Sequence, residues 1–186
     1  ALERAVGDSV ASYWLIDGPG QGVLGLLPGV IVVVLLGRRL FGHGLRDQWG
    51  GSLRFPRAAL IHGVVAGALL ATAAVAFLLL TGLGRWGPNV DVARMGVNAF
   101  SNLWEELLAR GLLLVVVREA FGDRTAMIWT SVFFGVLLHG LSPFALFIAA
   151  TSWILAWAVI RARSLWAGWV GHQVADVIAD SLVVAR

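Results

Sequence analysis

The chain has 186 residues, 59% of them hydrophobic and 13% charged, with no cysteine and a mean hydropathy of +0.83. A soluble domain carries about a quarter of its residues as charges. This is membrane composition, and it argues against a disordered chain, a disulfide-stapled secreted module or a water-soluble enzyme, and excludes thiol chemistry. The pI near 10.9 comes entirely from arginine, and the fourteen arginines sit between apolar runs. Charge so placed sets topology and does not build a nucleic-acid-binding face, so no nucleic-acid partner is expected.

Residues 1–17, with Tyr13, Trp14, Leu15 and Ile16 among Glu3, Arg4 and Asp8, read as an amphipathic surface helix or the end of a span that begins upstream. Residues 18–186 read as one transmembrane helical domain; about 20 residues per crossing gives roughly six spans. The first runs from Gly18 to Gly37 and ends at Arg38-Arg39. The second is the uncharged stretch Ala58 to Gly84. A third, about Ala93 to Val117, carries Glu105, Glu106 and Arg110 in its middle. Thr125 to Ile160 holds no formal charge and is too long for a single crossing. Gly140-Leu141-Ser142-Pro143 breaks it in two, because a proline biases the residue before it away from helix. The last span runs from about Ser164 to Ala185 and contains His172, Asp176 and Asp180. The expected fold is all-α: a polytopic membrane helix bundle with an internal polar cavity.

Arginine counting sets the orientation. Arg38, Arg39, Arg46, Arg54, Arg57, Arg118, Arg124, Arg161 and Arg163 fall on one side, against Arg4, Arg85, Arg94 and Arg186 on the other. That asymmetry predicts both termini outside the cytoplasm. The arginine-only basic set fits a GC-rich bacterial genome and hence an inner membrane. Trp49, Trp86 and Trp166 lie near span ends, where indole rings prefer to sit. Trp104, Trp129, Trp153 and Trp157 lie deeper and read as packing residues. Gly63-x-x-x-Gly67 is a spacing that supports close helix approach. The sequence leaves the oligomeric state open.

Ionisable residues inside the spans carry the functional signal, since each costs about 2.5–3.5 kcal/mol at mid-membrane on insertion scales. Glu106 and Arg110 are four apart on one helix face, acid before base, the favourable order. Glu105 points about 100° away from Glu106, with Asn98 and Asn102 upstream on its side. Glu106 is thus expected to be neutralised by Arg110, leaving Glu105 to face a cavity. His139 ends the fourth span. His172 and Asp176 are four apart on the last, so the acid can orient or charge the imidazole, and Asp180 extends that face.

Glu-Glu-x-x-x-Arg, then a histidine behind Phe134-Gly135, then His-x-x-x-Asp resembles the CPBP family, which takes in type II, Rce1-like CAAX prenyl endopeptidases and bacterial bacteriocin-processing or Abi-type membrane proteins. The likeness covers about residues 95–180. It implies a glutamate-dependent intramembrane endopeptidase acting on a peptide or protein at the bilayer. By that resemblance Glu105 and His139 activate a water, His172 with Asp176 stabilises the oxyanion, and Glu106, Arg110 and Asn102 support them. Two departures stand out. The family's second motif reads Phe-x-x-x-His, whereas Phe134 is five before His139 and Gly135 four before. The last motif often has Asn where this chain has Asp176. No cofactor is expected: one or two Glu with two His also suit zinc, but no His-Glu-x-x-His pair is present. The other readings are a non-proteolytic scaffold or immunity-type protein of the same family, and a proton or ion pathway.

Overall fold

The computed structural model describes residues 55–186 apart from Asn89, Gly140, Leu141 and Arg186, with Leu35 and Arg39 besides; for residues 93, 94, 137–139 and 185 the backbone alone is described. The segment 1–17, the expected first span Gly18 to Gly37 apart from Leu35, and Trp49 therefore lie outside the described residues. In chain order the elements are α1 (Arg57–Thr81), β1 (Gly84–Trp86), α2 (Val92–Glu106), a π-helical segment (Leu107–Leu113), α3 (Leu114–His139), α4 (Pro143–Thr151), α5 (Trp153–Ala162), α6 (Leu165–Leu182) and β2 (Val183–Ala185).

Helix α1 follows Pro56, which has no amide proton to satisfy, and ends at Gly82, whose φ of 71° turns the chain while its amide donates to Leu79 O. Strand β1 pairs antiparallel with β2, with Trp86 opposite Val183 and Gly84 opposite Ala185. The expected second and last spans are thus helical except at their final residues, which form this ribbon. Since β1 follows α1 and β2 follows α6, the C-terminal ends of the two helices lie at the same end of the protein, and the helices run parallel.

They also touch closely. Buried Ala59, Ala66, Leu70 and Ala71 of α1 share a core with Leu155, Ala158, Ala167 and Ala175. A Cβ on Gly67 would stand 2.5 Å from the Gly171 carbonyl, and one on Gly63 would stand 2.8 Å from Val170 Cβ. The Gly63-x-x-x-Gly67 spacing is used within the chain, against α6.

The helical run of the expected third span continues past Val117 to Gly122, where φ 82° and ψ 172°, a conformation open almost only to glycine, turn the chain. Arg118 and Asp123 pair at 2.5 Å across that turn. The break before Pro143 is as expected: Ser142 is extended, Pro143 opens α4, and the Ser142 hydroxyl accepts the Ala145 amide at 3.0 Å. A second interruption, at Ser152 between α4 and α5, was not visible in the uncharged run.

Among the described residues, two helical stretches are long and apolar enough to cross a membrane, Arg57–Thr81 and Pro143–Ala162. Only 33% and 28% of their most apolar windows is buried within the protein, so most of that surface faces outward. The deep tryptophans divide accordingly. Trp157 packs on the core, but Trp129 and Trp153 are 61% and 48% exposed, so the expectation of packing fails for both. Trp153 lies on the second of these two stretches, where an apolar ring can face outward if the surroundings are themselves apolar.

Candidate active site

A four-residue spacing advances 400° around a helix, so residues at that spacing make a nearly straight stripe. α2 and the turn after it carry such a stripe in Asn98, Asn102, Glu106 and Arg110; α6 carries Gly168, His172, Asp176 and Asp180. The two stripes meet antiparallel, rung by rung. Asn98 Nδ2 donates to Asp180 Oδ2 at 3.2 Å. Asn102 Nδ2 donates to Asp176 Oδ2 at 2.8 Å and to Gln173 Oε1 at 3.3 Å. At the deepest rung, Glu106 Oε1 lies 3.2 Å from His172 Nδ1. Trp169 Nε1 and Gln173 Nε2 donate to the Ala99 and Met95 carbonyls at 2.9 and 3.2 Å, tying α6 to α2. The asparagines thus bond to the same α6 row that Glu106 meets, and they also line the pocket with Glu105, the side expected of them.

Glu106 and Arg110 form the expected pair, Oε1 to Nη1 at 2.8 Å, with both side chains fully buried. Arg110 Nη2 also donates to the Ser152 carbonyl at 3.1 Å, and its guanidinium lies 4.2 Å over the Phe134 ring. The Ser152 carbonyl, at the α4–α5 junction, is shared between the cation and the Leu155 and Ala156 amides at 3.1 and 3.3 Å. Carboxylate, carbonyl and ring face together replace the water that Arg110 has lost. The edge of the same ring meets His172, with centroids 5.5 Å apart. Phe134 is the aromatic partner whose register the sequence obscured. Gly135, at the family's usual Phe position, packs so closely on α4 that a Cβ would collide with Ala149.

Glu105 stands apart from this network. It is half-buried, its closest hydrogen-bond contact is Ser101 Oγ at 3.5 Å, and it lines a pocket of about 260 Å³. One wall is polar, from Asn98, Ser101, Asn102 and Glu105 of α2 and His172, Asp176 and Asp180 of α6. The other is apolar, from Leu70, Ala74 and Leu78 of α1 and Phe144 and Ile148 of α4.

The expected His172–Asp176 pairing is loose: Nε2 and Oδ2 are 4.0 Å apart without a hydrogen bond. Asp176 is held by Asn102, and His172 by Glu106. An ionised carboxylate only accepts, so Nδ1 carries the proton in this contact. His139 is the last residue of α3, and its side chain lies outside the described residues. The structure thus brings together Glu105, Glu106, Arg110, Asn102, His172 and Asp176. Sequence reasoning named Phe134 only through the family motif and missed Ser101, Ser152, Gln173 and Gly168 as neighbours of the site; of these, Ser101, four before Glu105, was the one that spacing could have found. Among the described residues no group of three or more His, Asp and Glu side chains is disposed to hold a metal ion.

Residues 88–178 match the family model described as type II CAAX prenyl endopeptidase Rce1-like. No curated protein and no solved structure matches the chain.

Proposed function

Because residues 88–178 are an Rce1-like domain, of a family of membrane-integral proteases, we propose that the chain is a glutamate-dependent intramembrane endopeptidase. It hydrolyses a peptide bond of a membrane-associated peptide or protein. Glu105 takes a proton from water as the resulting hydroxide adds to the carbonyl carbon. His139 shares in orienting that water. His172, with Nδ1 occupied by Glu106, turns Nε2 to the developing oxyanion, where a protonated imidazole donates; such donors are worth about 2.7–4 kcal/mol each in other enzymes. Asp176 lends its charge to that imidazole from 4.0 Å. The tetrahedral adduct then expels the amine, which leaves with the proton Glu105 had taken. Glu106, Arg110 and Asn102 hold the helices in place. The reading calls on no cofactor.

The observation that supports it best is that Glu105 and His172, from separate helices of an apolar protein, line one pocket. In the same proposal the first span completes a bundle of about six around an internal cavity, in a bacterial inner membrane with both termini outside the cytoplasm. The test is incubation of the full chain, in liposomes, with a library of membrane-anchored peptides, read by mass spectrometry. New peptide termini are expected. A chain that cuts no member yet still binds one is a scaffold, and proton flux without peptide marks a relay; either result overturns the proposal.

A further inference from the structure

The Glu106 carboxylate is held unevenly. Oε1 serves both Arg110 and His172, whereas Oε2 is buried without a hydrogen-bond partner. What meets Oε2 is the backbone of Gly168, one turn before His172 on α6. A Cβ built on Gly168 would collide with Oε2 and stand 3.3 Å from Glu106 Cδ and 2.9 Å from Val159 Cγ2. With Glu106 on one side and α5 on the other, an added methyl has no free direction, so the carboxylate or α6 must move.

We propose that Gly168 is a positioning residue: its bare Cα is the seat that fixes the Glu106 carboxylate so that one oxygen reaches both Arg110 and His172. An oxygen without a hydrogen bond is oriented by shape alone, so the missing side chain sets the direction in which Oε1 points. A carboxylate turned by the clash loses the His172 Nδ1 contact first, because that contact, at 3.2 Å, is longer than the Arg110 contact at 2.8 Å.

This inference rests on the placing of His172 in the site but needs no substrate to test. A chain without peptidase activity and a chain without this seat therefore give different results. The readout is the hydrogen-bonded Nδ1 proton of His172 in histidine-labelled full chain in detergent, assigned among the four histidines with His172→Gln, alongside thermal melting. The resonance is expected in the unsubstituted chain and lost in Gly168→Ala. It is expected to persist in Gly171→Ala, whose added methyl meets Leu155 and α1 but not Glu106. Glu106→Asp shortens the acid away from the seat, so adding Gly168→Ala to it should cause no further loss of signal or melting temperature. The proposal is overturned if Gly168→Ala keeps the resonance, or if Gly171→Ala loses it equally. It is also overturned if Gly168→Ala does the same damage, unfolding included, with Asp at 106 as with Glu.

Discussion

His172 and Glu106, 66 residues apart in sequence on two different helices, meet Nδ1 to Oε1 at 3.2 Å, and the same oxygen takes Arg110 Nη1 at 2.8 Å. One carboxylate oxygen therefore couples the imidazole in the pocket to a cation that has no contact with solvent. The neighbouring acid, Glu105, is left to the pocket.

That coupling makes the pair costly to break from one side. Arg110→Ala leaves Glu106 buried without its cation, and destabilisation by about 3–5 kcal/mol is expected. Glu106→Gln with Arg110→Met should recover a large part of that loss, because no unpaired charge remains. Thermal melting of the three chains in one detergent checks both statements.

Phe134 is buried between the guanidinium and the imidazole. Phe134→Ala removes the ring, its volume and the cation–π contact, and about 3–5 kcal/mol of stability should go with it. Phe134→Leu keeps most of the volume but not the ring face, so a smaller loss of stability is expected beside a clear fall in turnover. Melting and cleavage measured on the same preparations separate the two effects.

Gly67 lies against the Gly171 carbonyl and Val174 of the same chain. Gly67→Leu should destabilise the fold by about 1–3 kcal/mol through overpacking, without changing the oligomeric state. Melting and light scattering in detergent read these separately.

Asp176 accepts from Asn102 through one oxygen and borders the pocket. An asparagine can accept the same bond through its amide oxygen and adds a donor facing the pocket. Asp176→Asn should therefore fold normally but lower kcat, because the charge lent to His172 is lost, whereas Asp176→Ala should lower stability as well. Initial rates with one peptide, beside thermal melting, separate the two.

The helical fold and the principal acids were legible because charges in apolar runs are few and costly: Glu105, Glu106, Arg110, His172 and Asp176 stood out for that reason alone. The break at Ser142-Pro143 was legible from proline stereochemistry. What escaped was pairing across helices. That Asn98 and Asn102 bond to the acids of α6 could not be read from a single helix wheel, which does not show which partner row it meets. Asp176 lies four residues from His172, yet Asn102 takes it, since an amide on the facing helix lies closer. Gly168 carries no charge, so nothing in the apolar pattern distinguished it from a core residue, and Phe134 stood out only through the motif it shares with the family. The interruption at Ser152 lacks both glycine and proline.

The central claim is that Glu105 activates the water. The most direct measurement is the single-turnover rate of peptide cleavage in liposomes for the unsubstituted chain and for Glu105→Gln, with folding checked by melting. Loss of a general base predicts a fall of about 10²–10⁴-fold at unchanged melting temperature. Cleavage by Glu105→Gln at the unsubstituted rate would contradict the account.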